Sequence, residues 1–237
     1  MKTVKLALAA ILSVIGMTAM QAQTLDEVVA KHIEAIGGKD KLLSLKSVIM
    51  EAHFSMQGTE IPVKMTQVHT KGQRIDITVN GMANYIIQTP TEGWTYMPIQ
   101  GQAKPEASPE TVVKETADAL DVQSPLLNYK EKGHDVVLLG KEDVEGTECF
   151  KIKIKLKSGL EQTMFLDPST YYIIKTITKS KATGKEQEQT QTFSNYKKLD
   201  AGYVFPFSMT GFGPGELVIT KIEVNPPVDE KIFKISQ

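Results

Sequence analysis

Cysteine occurs once in this 237-residue chain, at Cys149, and arginine once, at Arg74. A lone cysteine closes no intrachain disulfide, so the fold must rest on a buried core, which a chain of this length can build. Arginine is the side chain best suited to phosphate and guanine. With 27 basic against 28 acidic residues there is also no net field to gather a polyanion, so nucleic acid is excluded as a partner. Walker loop, serine elbow and nucleotide fingerprint are all missing, and no pair of His, Cys or carboxylate residues has metal-ligand spacing. No catalytic residue, metal or cofactor is therefore expected. The scattered His32, His53, His69 and His134 read as structural or solvated groups. At 41% hydrophobic and 23% charged, the composition is that of an ordinary globular protein.

The amino terminus departs from this average. Lys2 and Lys5 precede a mostly apolar run from Leu6 to Ile15 and then small and polar residues ending Ala19-Met20-Gln21-Ala22-Gln23. The pattern is that of a secretory signal peptide over residues 1–22, too short for a membrane span. Residues 23–237 would then be one soluble domain beyond the inner membrane. With no cysteine near the cleavage site, no lipid anchor is expected.

Leu25, Val28, Val29, Ile33 and Ile36 recur at helical spacing from Thr24, and Gly37-Gly38 supplies the stop. A second helical piece covers Lys39 to Leu45. The period then changes from about 3.6 to 2, which predicts a mainly antiparallel sheet. Between Ile99 and Gly133 the strand rhythm breaks. A helix is expected from Ser108 or Pro109 through Leu120, then a short apolar piece after Ser124-Pro125, and an insertion of this kind suits a lid. Strands resume at Asp135–Leu139, Cys149–Lys157, Leu160–Leu166, Tyr171–Lys179, Glu186–Lys198, Tyr203–Thr210 and Leu217–Val224.

Turn chemistry gives a register for the early strands. A bend centred on Gly58-Thr59 would set Met56 opposite Ile61 and Phe54 opposite Val63. A bend at Lys71-Gly72-Gln73 would set Met65 beside Val79 and His69 beside Ile75. Asn80-Gly81, a type I′ signal, sets Val79 opposite Met82 and Ile75 opposite Ile86. One dry face then carries Val48, Met50, Phe54, Met56, Val63, Met65, Ile77, Val79, Met82 and Ile86, joined by Trp94 and Tyr96 after the turn at Thr91-Glu92-Gly93. Arg74 falls on the wetter face with His53 and Asp76.

Three other features read as structural. Pro214 removes an amide donor from Gly211-Phe212-Gly213-Pro214-Gly215, and a strand follows, so this is a turn and not a phosphate loop. Lys151, Lys153, Lys155 and Lys157 alternate with apolar residues and form a solvated face. Cys149 reads as a packed thiol. The dry face is either an ordinary core packed by the helices or the wall of a ligand cavity, for which flexible methionines would suit ligands of varied shape.

The order of these features resembles a known family. Ile36-Gly37-Gly38, Leu45-Lys46-Ser47-Val48, Gly93-Trp94, Pro125-Leu126-Leu127-Asn128-Tyr129, Val144-Glu145-Gly146, Phe165-Leu166-Asp167, Phe193-Ser194-Asn195-Tyr196 and Ile222-Glu223-Val224-Asn225 resemble the LolA-like outer-membrane lipoprotein-sorting proteins, in their Bacteroidetes-type form. The resemblance implies an α+β, mainly β fold: an unclosed, strongly curved antiparallel half-barrel with helices covering its concave face. It also implies a periplasmic, non-enzymatic and monomeric carrier that shields lipoprotein acyl chains between an inner-membrane donor and an outer-membrane acceptor. On that reading the dry face lines the cavity, Leu120, Leu126 and Leu127 of the insertion at 99–133 are lid contacts, and Arg74 is the candidate lid latch. The same fold in RseB-like regulators implies an alternative, a lipid-sensing module acting through a protein partner.

Overall fold

The computed structural model describes residues 23–56 and 58–235; the expected signal segment, 1–22, lies outside the described residues. Helix α1 (Leu25–Ala35) opens on a capping box in which Thr24 Oγ1 accepts the Glu27 amide and the Glu27 carboxylate accepts the Thr24 amide. Asp26 and Glu27 lie in its first turn, where the helix dipole favours negative charge. The apolar stripe Val28, Val29, His32 and Ile33 turns inward. Helix α2 (Lys39–Ser44) follows, and α3 (Glu110–Thr116) runs into a 3₁₀ turn at Ala117–Leu120.

Thirteen strands form one antiparallel sheet: β1 (Ser47–Met56), β2 (Thr59–Val68), β3 (Gly72–Val79), β4 (Met82–Gln88), β5 (Gly93–Tyr96), β6 (Glu106–Ala107), β7 (Asp135–Val144), β8 (Thr147–Lys155), β9 (Glu161–Leu166), β10 (Ile173–Ser180), β11 (Gln187–Lys198), β12 (Val204–Thr210) and β13 (Leu217–Val224). The spatial order is β6-β5-β4-β3-β2-β1-β13-β12-β11-β10-β9-β8-β7. Pairing of β1 with β13 joins the two halves, and the β6 and β7 edges leave the sheet unclosed. The β12–β13 seam is thin, with only Ser208–Val218 and Met209–Leu217 in register.

The early register differs from the expected one. Met56 pairs with Thr59 and Phe54 with Ile61, because the β1–β2 connection is two residues shorter at its far side, where Thr59 and Glu60 already belong to β2. The next turn centres on Thr70, at φ 58°, and not on Gly72, so Met65 pairs with Ile75, and His69 falls beyond the β2–β3 ladder. Both slips are even, so the dry set stays on one face. Val79–Met82 and Ile75–Ile86 pair as the type I′ turn requires.

Trp94 and Tyr96 are a correction. Trp94 pairs with Ile87 and Tyr96 with Tyr85, which places both on the face opposite Ile86. Gly93 takes the helix-side position instead. A Cβ there would lie 2.8 Å from Ser108 Oγ and 3.2 Å from Val113 Cγ2, so a glycine is what lets the insertion approach the sheet.

The helices cover one face of the sheet, and two apolar clusters lie on it. The larger joins Val28, Val29, Ile33, Leu42 and Leu45 to Leu126, Leu127, Ile152, Ile154 and Leu166. The smaller gathers Phe54, Val63, Phe207, Met209, Leu217 and Ile219. The glycine-rich segment at 211–215 is the β12–β13 turn, and a Cβ on Gly213 would lie 2.8 Å from the Phe54 ring. On the outer face Lys151 pairs with Glu142 at 2.5 Å and Lys153 with Glu161 at 2.8 Å. Cys149 is fully buried, and burial raises its thiol pKa.

A candidate ligand cavity between the sheet and the helices

A cavity of about 400 Å³ lies between the helix-side face of the sheet and the helices. Val48 and Met50 of β1, Met164 of β9 and Phe193 of β11 supply apolar wall, with Phe205 of β12 beside the thin seam. Its roof comes from α1 through His32 and Ile36, from α2 through Leu42, and from residues 118–125.

Of the residues expected to line a cavity, Val48 and Met50 do so. Phe54 and Val63 belong to the smaller cluster, with Met65 and Ile77 packed against it on the same face. Ile86 pairs with Ile75, which packs against the same cluster, Val79 stands at the end of the β3–β4 hairpin, and Met82 is 39% exposed at its turn. Met56 falls outside the residues whose side chains are described. The β9, β11 and β12 walls were missed; Phe193 alternates with the polar Thr192 and Ser194, which is a signal that marks it, whereas Met164 precedes the apolar Phe165 and Leu166 and carries none.

The expected lid contacts divide. Leu126 and Leu127 are fully buried in the larger cluster under α1, so they anchor the insertion instead of closing a mouth. Leu120 is also buried, and its carbonyl accepts the Thr70 amide at 3.0 Å. The segment that bridges the concavity is α3. On one side Gln88 Nε2 donates to Thr116 O at 2.9 Å and to Thr116 Oγ1 at 2.6 Å. On the other, Glu115 accepts Ser180 Oγ at 2.6 Å, the Lys181 amide at 3.0 Å and the Ala182 amide at 2.9 Å. Thr111 Oγ1 adds a bond to Ala182 O at 2.7 Å. The strap thus ties β4 to the β10–β11 turn.

Arg74 is not part of that tie. It stands on the outer face, where Nε donates to Asp76 at 2.8 Å and Nη1 to Ile232 O at 3.1 Å, with its guanidinium 4.6 Å from the Tyr85 ring centroid. There it clasps the carboxy-terminal turn (Glu230–Phe233), whose Phe233 packs against Gly72. The physical reason is the β2–β3 register, which pairs Arg74 with Thr66 and so turns it away from the helix side.

Charge inside the cavity is confined to one end. Asp121 pairs with Lys132, accepts the Gln123 amide at 2.9 Å and lies 3.4 Å from His69 Nδ1. Lys132 also donates to Ser124 O at 2.8 Å. Asp118 accepts the Ser158 amide at 2.6 Å. Burial depresses the pKa of His69, Asp121 acts against that shift, and Lys132 adds to it. Fully buried His32 has its pKa lowered by burial, opposed by the bond of its Nδ1 to Tyr171 O at 2.8 Å. No group of His, Cys, Asp or Glu among the described residues could hold a metal ion.

No family model matches the chain, and no curated protein matches it. Solved structures do. A LolA superfamily protein from Nitrosomonas europaea aligns with a TM-score of 0.52 at 14% identity, covering 90% of this chain and 99% of the other. A DUF1329 family protein from Desulfovibrio piger aligns with a TM-score of 0.51 at 15% identity, covering 90% and 98%. At such identities the likeness establishes the fold, and the fold is LolA-like.

Proposed function

We propose that this LolA-like chain is a periplasmic carrier that holds acyl chains, those of outer-membrane lipoproteins in the first place, in the cavity beneath α1, α2 and residues 118–125. The observation that carries the reading is the cavity itself, a largely apolar recess between the sheet and a roof made by α1, α2 and residues 118–125, with α3 tied to β4 and to the β10–β11 turn beside it. An acyl chain gains about 0.8 kcal/mol for each methylene removed from water, so carrying one across an aqueous compartment requires such a recess. The cycle is exchange of a bound chain between partners, with no bond made or broken. Two apolar clusters on one face supply a rigid wall, while the strap is the part that moves.

Isolation from an envelope containing its own lipids and lipoproteins, followed by native mass spectrometry and solvent extraction, tests the reading. Acylated protein recovered as the adduct supports carriage of lipoproteins, and free lipid alone moves the role to a lipid shuttle or sensor. A consistently empty protein contradicts acyl binding altogether.

A further inference from the structure

The cavity floor is not uniformly apolar. Thr176 of β10 pairs directly with Gln191 of β11, and both side chains line the cavity beside Met164 and Phe193. Thr176 is only 5% exposed, yet its hydroxyl has no hydrogen-bond partner among the described residues, and the Gln191 amide has none either. Directly opposed residues in an antiparallel pair stand about 5 Å apart at Cβ, so the hydroxyl and the amide offer adjacent donors and acceptors. They are not among the buried unmatched side-chain atoms of the described residues, which are His69 Nδ1 and Ser158 Oγ, so the hydroxyl and the amide open onto the cavity, where a ligand group can match them.

His32, 2% exposed, adds a third group. Its Nδ1 lies 2.8 Å from the Tyr171 carbonyl, an oxygen that only accepts, so Nδ1 carries the proton and Nε2 is left with its lone pair. No described residue donates to that nitrogen. Polar atoms in this part of the cavity are therefore neutral. Neither Lys nor Arg is among the lining residues, the nearby Lys132 is already held by Asp121 and Ser124 O, and the charged lining residues are Asp118 and Asp121.

We propose that Thr176, Gln191 and His32 Nε2 form a neutral hydrogen-bonding station for the ester or amide linkage, or the adjoining hydroxyl, of an acyl ligand. The station makes the cavity select uncharged acyl lipids over fatty carboxylates and phosphate-bearing lipids. This inference rests on the acyl-binding reading above and adds specificity to it. A carboxylate or phosphate brought to the same depth meets no free cation, whereas an ester carbonyl accepts from Thr176 or Gln191 and a glycerol hydroxyl donates to His32.

The test uses diphenylhexatriene, a hydrocarbon fluorophore with no polar group, displaced by 1-monodecanoylglycerol or by decanoate below their micelle concentrations. In the unaltered protein the glyceride displaces the dye at a concentration at least about tenfold lower than decanoate. In the Thr176→Val, Gln191→Leu double variant, dye binding persists while the glyceride loses about five- to tenfold in affinity, so that the preference collapses. Equal displacement by the two competitors in the unaltered protein, or a preference that survives in the folded double variant, overturns the station but leaves the cavity standing. Failure of the unaltered protein to bind the dye or either competitor overturns the acyl-binding reading and the station with it.

Discussion

Phe193→Glu lowers uptake of an acyl probe by at least about a hundredfold, whereas Thr192→Glu, one residue earlier on the same strand, leaves it within about twofold. The contrast follows from the two-residue period of β11. Phe193 pairs with Met209 and lines the cavity, so a carboxylate at this position would be taken out of water without a cation and would repel the hydrocarbon it should contact. Thr192 pairs with Lys175 and Thr210 on the other face, and its Oγ1 lies 2.7 Å from Thr210 Oγ1. A glutamate there faces a lysine across the strand, which is a favourable neighbour. Titration with a fluorescent fatty-acyl probe, together with a thermal melt to establish that both variants fold, reads the difference. Equal losses in two folded variants would show that the helix-side face does not receive the chain.

The second large effect belongs to the strap. Glu115→Ala removes an acceptor that holds Ser180 Oγ and two consecutive amides, Lys181 and Ala182, all within 3.0 Å. Bonds to an ionised acceptor are worth more than neutral ones, and the freed amides face solvent, which softens the loss. About 2–4 kcal/mol of local opening free energy is the expected change. Hydrogen exchange at α3 should therefore quicken by roughly thirty- to a thousandfold, with much smaller changes in the Ile152 and Ile154 strand beneath α1. Dissociation of a bound acyl chain should quicken as well, since the Thr111 bond to Ala182 O then alone joins the strap to the β10–β11 turn. Unchanged exchange over residues 110–116 would mean that the Glu115 bonds do not hold the strap down.

The sequence carried the local parts of this molecule well. The helical spacing from Thr24 and the Gly37-Gly38 stop marked α1, and the strands of the second half were legible to within a few residues from their alternation and turns. Even errors in turn position did no harm to the face assignment, as the β1–β2 and β2–β3 hairpins illustrate. An odd error did: a four-residue connection at 89–92 sets Gly93 opposite Gln88 and sends Trp94 and Tyr96 to the outer face. What local pattern could not supply was the pairing of β1 with β13, separated by most of the chain. That pairing brings Val48 and Met50 into one cavity with Met164, Phe193 and Phe205, and without it only half of the wall could be named. Arg74 shows the same limit, since its partner Ile232 is distant in sequence. Glu115 was hidden for a like reason, because a surface glutamate on a short helix gives no sign of which turn it will meet.

On this account an acyl chain lies against both halves of the sheet, beneath α1, α2 and residues 118–125. Photo-crosslinking with a fatty-acyl probe carrying a diazirine midway along its chain, mapped by peptide mass spectrometry, examines this directly. The account predicts adducts on both halves, at Met50 in β1 and at Met164, Phe193 or Phe205 in β9, β11 and β12. Adducts confined to the outer face, around Trp94 or Phe165, or none at saturating probe, would contradict it.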